Sequence, residues 1–327
     1  MPSQDNAQTT GSELVQELAD IIKGKVILTT GVSPGGLGAF FVEAIAAANP
    51  GLLIVAGRNL DKVQQTVDNL AKSHPGVKTR PLRLDLISLA AVREAAAEVN
   101  AWDDVPFIDV LVNNAGVMAT PYALSPDGVE SQFAINHLGH FLFTNLIMGK
   151  LLAASKPRVV NVSSDGHRLS PIRFDDLNFH GGETYNKARA YGQAKTANML
   201  MALSLAEKLG KKGLQAYSLH PGVIHTNLAN HLDWNVDFEA LHAEDRAQGH
   251  RQGWEGFKFK TPDQGIATHV FAAFHPSLEA DHNGAYLQDA RVADPWTDTV
   301  LPWGTSPIEA EKLWRLSEKL VGQEFKY

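Results

Sequence analysis

The sequence predicts an α/β fold in which a doubly wound sheet of about seven parallel strands carries helices on both faces. From Lys25 onward, short apolar segments alternate with longer segments of helical period, as in repeated βαβ units. Most of the short segments are apolar at successive positions, as expected of strands covered on both sides. The predicted strands are Val26–Thr30, Leu52–Ala56, Thr79–Leu84, Ile108–Val112, Val159–Ser163, Leu214–Leu219 and Ala285–Gln288.

Helical segments with apolar residues at three- and four-residue spacing separate these strands. They are Gly38–Ala48, Leu60–Lys72, Leu89–Val99, Ser131–Leu152 and Ala190–Lys208, and a last helix opens at Ser306-Pro307 and runs through Leu320. We expect residues 1–20 to be a flexible tail and residues 21–327 to form one domain. Within it, residues 224–262 read as an insertion on the substrate side.

Composition excludes several classes of function. The chain has 36 acidic against 29 basic residues, a net charge of −7, which argues against a nucleic-acid partner. It has no cysteine, so disulfides and thiol ligands are absent. No segment approaches the roughly 20 apolar residues of a membrane span, and the polar start does not resemble a secretory signal. These features predict a cytoplasmic protein.

A glycine-rich turn follows the first predicted strand and precedes a helix. The segment from Thr30 contains Gly31, Ser33, Gly35, Gly36, Leu37 and Gly38. In a Rossmann-type fold, such a turn lets the backbone approach a dinucleotide pyrophosphate, and the helix N-terminus supplies free N–H groups. The alternative is a tight turn that binds nothing.

The end of the second strand favours NADP(H) over NAD(H). An acidic residue normally holds the ribose hydroxyls of NAD at this place, whereas this chain has Arg58. A guanidinium can bind a 2′-phosphate through two hydrogen bonds. The alternative is that Arg58 simply extends into water.

Two further strand ends carry small polar residues. The fourth strand runs into Asn113-Asn114-Ala115-Gly116, and the fifth runs into Ser163-Ser164. Because the carboxyl ends of parallel strands meet at one edge of a sheet, both segments should face the same crevice. Each pattern alone is common in ordinary turns.

Tyr191 and Lys195 are four residues apart and therefore lie on one helix face. Two unit charges at about 4 Å interact by roughly 4 kcal/mol at an effective dielectric of 20, which is about three pKa units. We therefore expect Lys195 to lower the pKa of Tyr191 towards neutrality, where a phenol can donate and accept a proton. The alternative is a surface tyrosine beside a lysine.

Taken together, these segments resemble the short-chain dehydrogenase/reductase family from about Gly24 to Val292. The resemblance implies a catalytic tetrad of Asn136, Ser164, Tyr191 and Lys195. It also implies a cofactor site that includes Asp85 and Leu86 on the adenine side, Asn114 to Gly116, Pro221, Gly222, Val223 and Thr226.

Several short motifs are similar to those of the retinol dehydrogenase and WW-domain oxidoreductase branch, for example Asn136-His137-Leu138-Gly139-His140-Phe141. Two departures stand out. The glycine turn is one residue longer than the family pattern, so either Gly35 or Gly36 takes the middle position. The polar start also lacks the membrane anchor common in retinol enzymes, which disfavours retinoids.

The resemblance implies that Ser164 and Tyr191 bind a carbonyl oxygen, Lys195 holds the nicotinamide ribose and Asn136 keeps a relay water in place. The insertion should act as a lid, and its aromatic residues suggest a bulky substrate or simply pack the insertion: Trp234, Phe238, Trp254, Phe257 and Phe259. Secondary-metabolite ketones, steroids, retinoids and lipid aldehydes all stay open as substrates.

No spaced histidine–carboxylate set predicts a metal site. The surplus of apolar residues on the helices Ser131–Leu152 and Ala190–Lys208 leaves a homodimer open. Two competing functions on the same scaffold are a non-redox enzyme, such as an isomerase, dehydratase or cyclase, and a cofactor-sensing protein. The tetrad argues against both.

Overall fold

A computed structural model of the chain describes residues 7–250, 253–254, 256–278 and 281–327. The predicted strands all form, with ends that shift by one or two residues. The strands are β1 (Val26–Thr30), β2 (Leu52–Gly57), β3 (Thr79–Arg83), β4 (Val110–Asn113), β5 (Arg158–Val162), β6 (Gln215–His220), β7 (Val223–Ile224), β8 (Phe259–Lys260), β9 (Tyr286–Gln288) and β10 (Arg291–Val292).

The main sheet has the order β10-β9-β6-β5-β4-β1-β2-β3. Seven of these strands are parallel, which confirms the predicted fold class, and β10 adds an antiparallel edge to β9. The chain reverses its direction of winding between β1 and β4, so the carboxyl ends of these two strands border a crevice.

Helices cover both faces of the sheet and enclose two separate cores. None of the described helices is long and apolar enough to cross a membrane. The helices are α1 (Gly11–Glu17), α2 (Ala19–Ile22), α3 (Leu37–Ala46), α4 (Leu60–Ser73), α5 (Leu89–Asn100), α6 (Ser131–Phe133), α7 (Gly139–Leu146), α8 (Met148–Leu152), α9 (Lys187–Leu209), α10 (Trp234–Ala247), α11 (Pro262–Phe274) and α12 (Pro307–Val321).

The predicted helix Ser131–Leu152 is interrupted. A π-helical turn, Ala134–Leu138, separates α6 from α7, and Gly139 donates its N–H to the carbonyl of Ala134. A π turn widens the helix locally and occurs frequently at functional sites. Asn136 lies within this turn.

The flexible tail predicted for residues 1–20 is wrong from Gly11 onward. Thr10 caps α1 in a reciprocal arrangement with Glu13. Leu14 and Ile22 are fully buried, and Ser12 donates two hydrogen bonds to Asp263 at the start of α11. The prediction of a flexible tail is wrong because it rested on the polar composition of this segment and missed apolar residues at helical spacing. Residues 1–6 lie outside the described residues.

The surplus apolar residues of α7 and α9 are buried within the single chain. Leu142 and Leu200 share a core with Trp314 of α12. Ser204 of α9 donates to the carbonyl of Ala310, and Lys208 pairs with Glu311. The C-terminal helix thus covers the helix faces that left a homodimer open.

The predicted insertion begins and ends in a small separate sheet. Strand β7 pairs in parallel with β8, so the two ends of the segment 224–262 are held side by side. Helix α10 lies between them and packs against α9 and the 3₁₀ segment Asp165–Leu169. The insertion therefore stands over the carboxyl edge of the main sheet.

Candidate active site

A cavity of about 590 Å³ opens at the carboxyl edge of the sheet, where β1 and β4 diverge. Most of the predicted site residues line it: Gly31, Ser33, Gly36, Leu37, Arg58, Asp85, Leu86, Asn114, Ala115, Gly116, Ser164, Tyr191, Lys195, Pro221, Gly222, Val223 and Thr226. Three predicted residues do not line it, namely Gly35, Gly38 and Asn136.

The glycine turn lies against the end of β4. Gly31 has a φ of +73°, and a Cβ there would lie 2.6 Å from the Cα of Ala115. A Cβ at Gly38 would lie 2.5 Å from Nδ2 of Asn114. Both positions therefore require glycine, because a side chain at either one would prevent the turn from packing closely on the end of β4.

The longer glycine turn resolves into two different roles. Gly36 is the N-cap of α3 and lines the cavity. Gly35 has a φ of +80° and instead faces Asn227, whose Nδ2 donates to the carbonyl of Pro34 at 2.7 Å. The geometry thus favours Gly36 as the middle glycine and makes Gly35 the additional residue.

The end of β2 presents two cations to the cavity. Arg58 lines it as predicted, together with Asn59 and Lys62. Asn59 is the N-cap of α4, and Lys62 follows in the first turn of that helix. Sequence reasoning missed Lys62, which faces the cavity only because α4 begins directly after β2.

The segment from Asn114 to Val117 is held at both ends. Thr30 Oγ1 accepts from the backbone N–H groups of Asn114 and Ala115, at 3.0 and 2.9 Å. The Asn136 side chain accepts from Val117 N and donates to Val117 O, at 2.8 and 2.9 Å. The amide has a second lone pair and a second N–H that these two bonds do not use, so the expected role of Asn136 in holding a water stays a prediction.

Ser164, Tyr191 and Lys195 come together in the cavity. Lys195 Nζ donates to the carbonyl of Val162 at 3.0 Å, and Ser164 Oγ accepts from the backbone N–H of Gly166 at 2.9 Å. Close packing of α9 on the serine segment depends on Gly166, where a Cβ would lie 2.8 Å from the Tyr191 ring. Gly116 faces both Asn136 Oδ1 and Lys195 Nζ.

The protonation states differ from the sequence-based expectation. Burial raises the pKa of Tyr191 to about 12, although the neighbouring Ser164 side chain acts to lower it. Burial also lowers the pKa of Lys195 to about 8. The lysine Nζ lies 5.5 Å from the centre of the tyrosine ring rather than at the hydroxyl. The Tyr191 hydroxyl therefore keeps its proton at neutral pH, and the pKa of Lys195 lies closer to neutrality than that of an exposed lysine.

The insertion supplies an apolar wall on the opposite side of the cavity from the glycine turn. Phe238, Leu241, Trp254 and Phe257 line the cavity, and the Phe238 and Phe257 rings meet edge to face at 4.9 Å. Phe259 does not line it and is 45% exposed. The side chain of Trp234 lies outside the described residues.

Buried polar contacts connect the insertion to the serine segment. Asp245 of α10 is fully buried and pairs with Arg168 Nε at 2.6 Å. Trp254 donates its backbone N–H to Asp245 and its indole N–H to Asp165, the residue after Ser164, at 2.8 and 2.5 Å. Sequence reasoning did not identify Asp165 or Arg168, whose partners lie far away along the chain.

Within the described residues, no group of three or more histidine and carboxylate side chains is arranged to hold a metal ion. His137 and His140, which sequence reasoning assigned to packing or hydrogen bonding, are buried and hydrogen-bonded. His137 binds Ser317 of α12, and His140 binds Thr30 at the end of β1.

Comparison with known proteins identifies relatives of this chain. The family model described as short chain dehydrogenase matches residues 25–176. A short-chain dehydrogenase/reductase, prx1, of Penicillium rubens is 38% identical over 312 residues, which cover 92% of this chain and 86% of the relative. Human retinol dehydrogenase 14 is 33% identical over 92% of this chain and 88% of its own length.

Solved structures agree with the fold. A Mycobacterium paratuberculosis protein without assigned function superposes with a TM-score of 0.68 at 30% identity, over 94% of this chain and 98% of its own. An NADPH-bound carbonyl reductase from chicken fatty liver gives a TM-score of 0.57 at 21% identity, over 83% and 99%. The second comparison concerns the fold alone.

Proposed function

Because the chain belongs to the short-chain dehydrogenase/reductase family, we propose that it is an NADP(H)-dependent oxidoreductase that acts on a carbonyl or alcohol group of a bulky apolar or aromatic small molecule. The observation that carries the proposal is that Ser164, Tyr191 and Lys195 line one cavity together with the glycine turn. A non-redox or sensing protein would not need this set of side chains together.

The cavity suits a phosphorylated dinucleotide. Gly31 and Gly36 line the cavity at the N-terminus of α3, where backbone N–H groups and the helix dipole would favour a pyrophosphate. Arg58 and Lys62 would face the 2′-phosphate of NADP(H). Asp85, Pro221 to Val223 and Thr226 would complete the binding site on the adenine and nicotinamide sides.

The bound cofactor would supply the hydride. Ser164 and Tyr191 would orient the substrate oxygen, and Tyr191 would donate its proton to that oxygen as negative charge develops there. The raised pKa of Tyr191 keeps this proton in place at neutral pH. Lys195, whose pKa burial lowers to about 8, is suited to returning a proton to the tyrosine.

The insertion would select the substrate as a lid. Phe238, Leu241, Trp254 and Phe257 of the insertion line the cavity with apolar side chains, and Leu169 packs in the same cluster as Leu241 and Trp254. Such a wall favours a substrate that buries a large apolar or aromatic surface. The cytoplasmic location expected from the sequence stays a prediction.

The proposal is tested by titrating the purified protein with NADPH and NADH, followed by a panel of carbonyl compounds monitored at the nicotinamide absorbance. We expect tighter binding of NADPH and its consumption with aromatic ketones in preference to small aldehydes. Binding without consumption on any carbonyl or alcohol would favour the sensing or non-redox alternatives. A preference for NADH would contradict the role given to Arg58.

A further inference from the structure

His140 occupies a junction between the cofactor side and the catalytic side of the cavity. It lies at the start of α7, four residues after Asn136, and is 1% exposed. Its Nε2 lies 2.9 Å from Thr30 Oγ1, and its Nδ1 lies 3.1 Å from the backbone carbonyl of Asn136. The proposed reaction gives this side chain no role.

The hydrogen bonds around Thr30 determine the tautomer of His140. Thr30 Oγ1 already accepts from Asn114 N and Ala115 N, so both of its lone pairs are occupied. Its hydroxyl must therefore donate to His140 Nε2, which carries no proton. The ring proton is on Nδ1 and is donated to the carbonyl of Asn136.

These contacts close a ring of hydrogen bonds. Thr30 holds Asn114 and Ala115, and the Asn136 side chain holds Val117 at the other end of the same segment. His140 connects the two clamps because it binds Thr30 and Asn136 at once. The backbone of the segment then completes the ring.

The segment enclosed by this ring carries Gly116, which faces both Asn136 and Lys195. A Cβ at Gly116 would lie 3.0 Å from Asn136 Oδ1 and 3.5 Å from Lys195 Nζ. A small shift of the segment would therefore change the distance between the floor of the cofactor groove and Lys195.

We propose that His140 is a positioning residue, whose neutral Nδ1–H ring fixes the cofactor-facing segment from Asn114 to Val117 relative to Asn136 and Lys195. The structural part stands on the hydrogen bonds alone, and the effect on turnover rests on the proposed function. Burial lowers the pKa of His140 to about 4, and the nearby charge of Lys195 acts in the same direction. The ring is thus neutral at ordinary pH.

His137 provides a matched control. It lies on the same helical segment, is fully buried and makes one side-chain hydrogen bond, to Ser317 of α12 at 2.8 Å. A His137→Phe variant should cost stability as His140→Phe does, but it leaves the ring of hydrogen bonds intact. A His140→Gln variant keeps one acceptor and one donor and should restore most of what His140→Phe loses.

The first measurement is ¹⁵N NMR of histidine-labelled protein, in which the His140 signal is identified by its loss in His140→Gln. We expect the Nδ1–H tautomer, and amide hydrogen exchange at Ala115 and Val117 that is faster in His140→Phe but not in His137→Phe. An Nε2–H tautomer, or equal exchange in the two variants, would overturn the inference whether or not any substrate is known.

The second measurement is of NADPH binding and of turnover. We expect His140→Phe to raise the Kd for NADPH and to lower kcat by about tenfold each, as the loss of a buried hydrogen bond permits, with the KM for the carbonyl compound nearly unchanged. Equal losses in His137→Phe would indicate a merely structural role. If the wild type consumes no NADPH, the proposed function fails, while the tautomer, the exchange and the NADPH Kd still decide the role of His140.

Discussion

The two halves of the cavity are built in different ways. On the cofactor side, glycine backbones and strand ends form the surface, and Thr30 and Asn136 hold the segment after β4 through backbone groups. On the substrate side, side chains do this work, through the buried pair Arg168–Asp245 and the bond from Trp254 to Asp165. The first half depends on the sheet, and the second depends on a few distant side chains.

This difference indicates that cofactor binding depends on the fold, whereas substrate binding depends on individual side chains. Backbone N–H groups recognise a pyrophosphate regardless of most side chains, so the cofactor site is tied to the fold itself. The insertion is instead attached by side chains, both through ion pairs such as Arg168–Asp245 and Lys187–Asp237 and through the apolar packing of Leu241 against Leu169. The side chains proposed for catalysis lie between the two halves, since Ser164 borders Asp165 and α9 carries Tyr191 and Lys195.

Acid should destabilise the folded structure of both halves together, and this is the largest expected effect. Burial lowers the pKa of His137 to about 3 and of His140, His167 and His269 to about 4, while unfolded histidine titrates near 6.5. The unfolded chain therefore binds more protons between these values, so stability is retained above about pH 6.5 and falls as the pH decreases towards 4.

Urea unfolding at a series of pH values measures this slope by circular dichroism and by tryptophan fluorescence. A His269→Phe variant should decrease the slope by about one proton, because it removes one of the four groups. An early transition seen only in the tryptophan signal would mean that the lid is lost first and that the two halves unfold separately.

Tyr191→Phe should separate chemistry from binding. We expect kcat to fall by about 10²–10⁴, the usual contribution of general acid catalysis, with the NADPH Kd unchanged. Tyr185→Phe is the matched control, because Tyr185 OH bonds to Thr120 and Glu130 and does not line the cavity. Turnover retained in Tyr191→Phe would exclude this tyrosine as the proton donor.

Arg58→Ala should weaken only the cofactor half. We expect the Kd for NADPH to rise about 10- to 100-fold and that for NADH to stay nearly constant, because the guanidinium would contact the 2′-phosphate alone. Lys62→Ala should act in the same direction but less strongly. As a control, Arg80→Ala removes a cation that pairs with Asp104 outside the cavity. An equal loss of affinity for NADPH and NADH would show that Arg58 does not contact the 2′-phosphate.

Trp254→Phe should weaken only the substrate half, with the smallest effect. The substitution keeps an aromatic side chain but removes the indole N–H that donates to Asp165. We expect the KM for the carbonyl compound to rise about three- to tenfold with the NADPH Kd unchanged. Trp296→Phe is the control, because Trp296 is 94% exposed. A change in NADPH affinity would show that the two halves are coupled.

Local patterns determined much of the molecule from the sequence alone. The seven parallel strands, the glycine turn and the pairing of Tyr191 with Lys195 follow from short-range periodicity and from helix spacing. These features depend on neighbours within a few residues, and such interactions can be read from a linear string. Arg58 at the end of β2 was likewise predictable.

Only the tertiary structure decided which of Gly35 and Gly36 faces the cavity, how α1 and α12 pack, and how His140 and Asp165 are bound. It also decided the pKa of Tyr191, which burial raises although the sequence suggested that Lys195 would lower it. The physical reason is common to all: burial and partners across β-strands and insertions depend on residues far apart in sequence, whose approach no local pattern encodes.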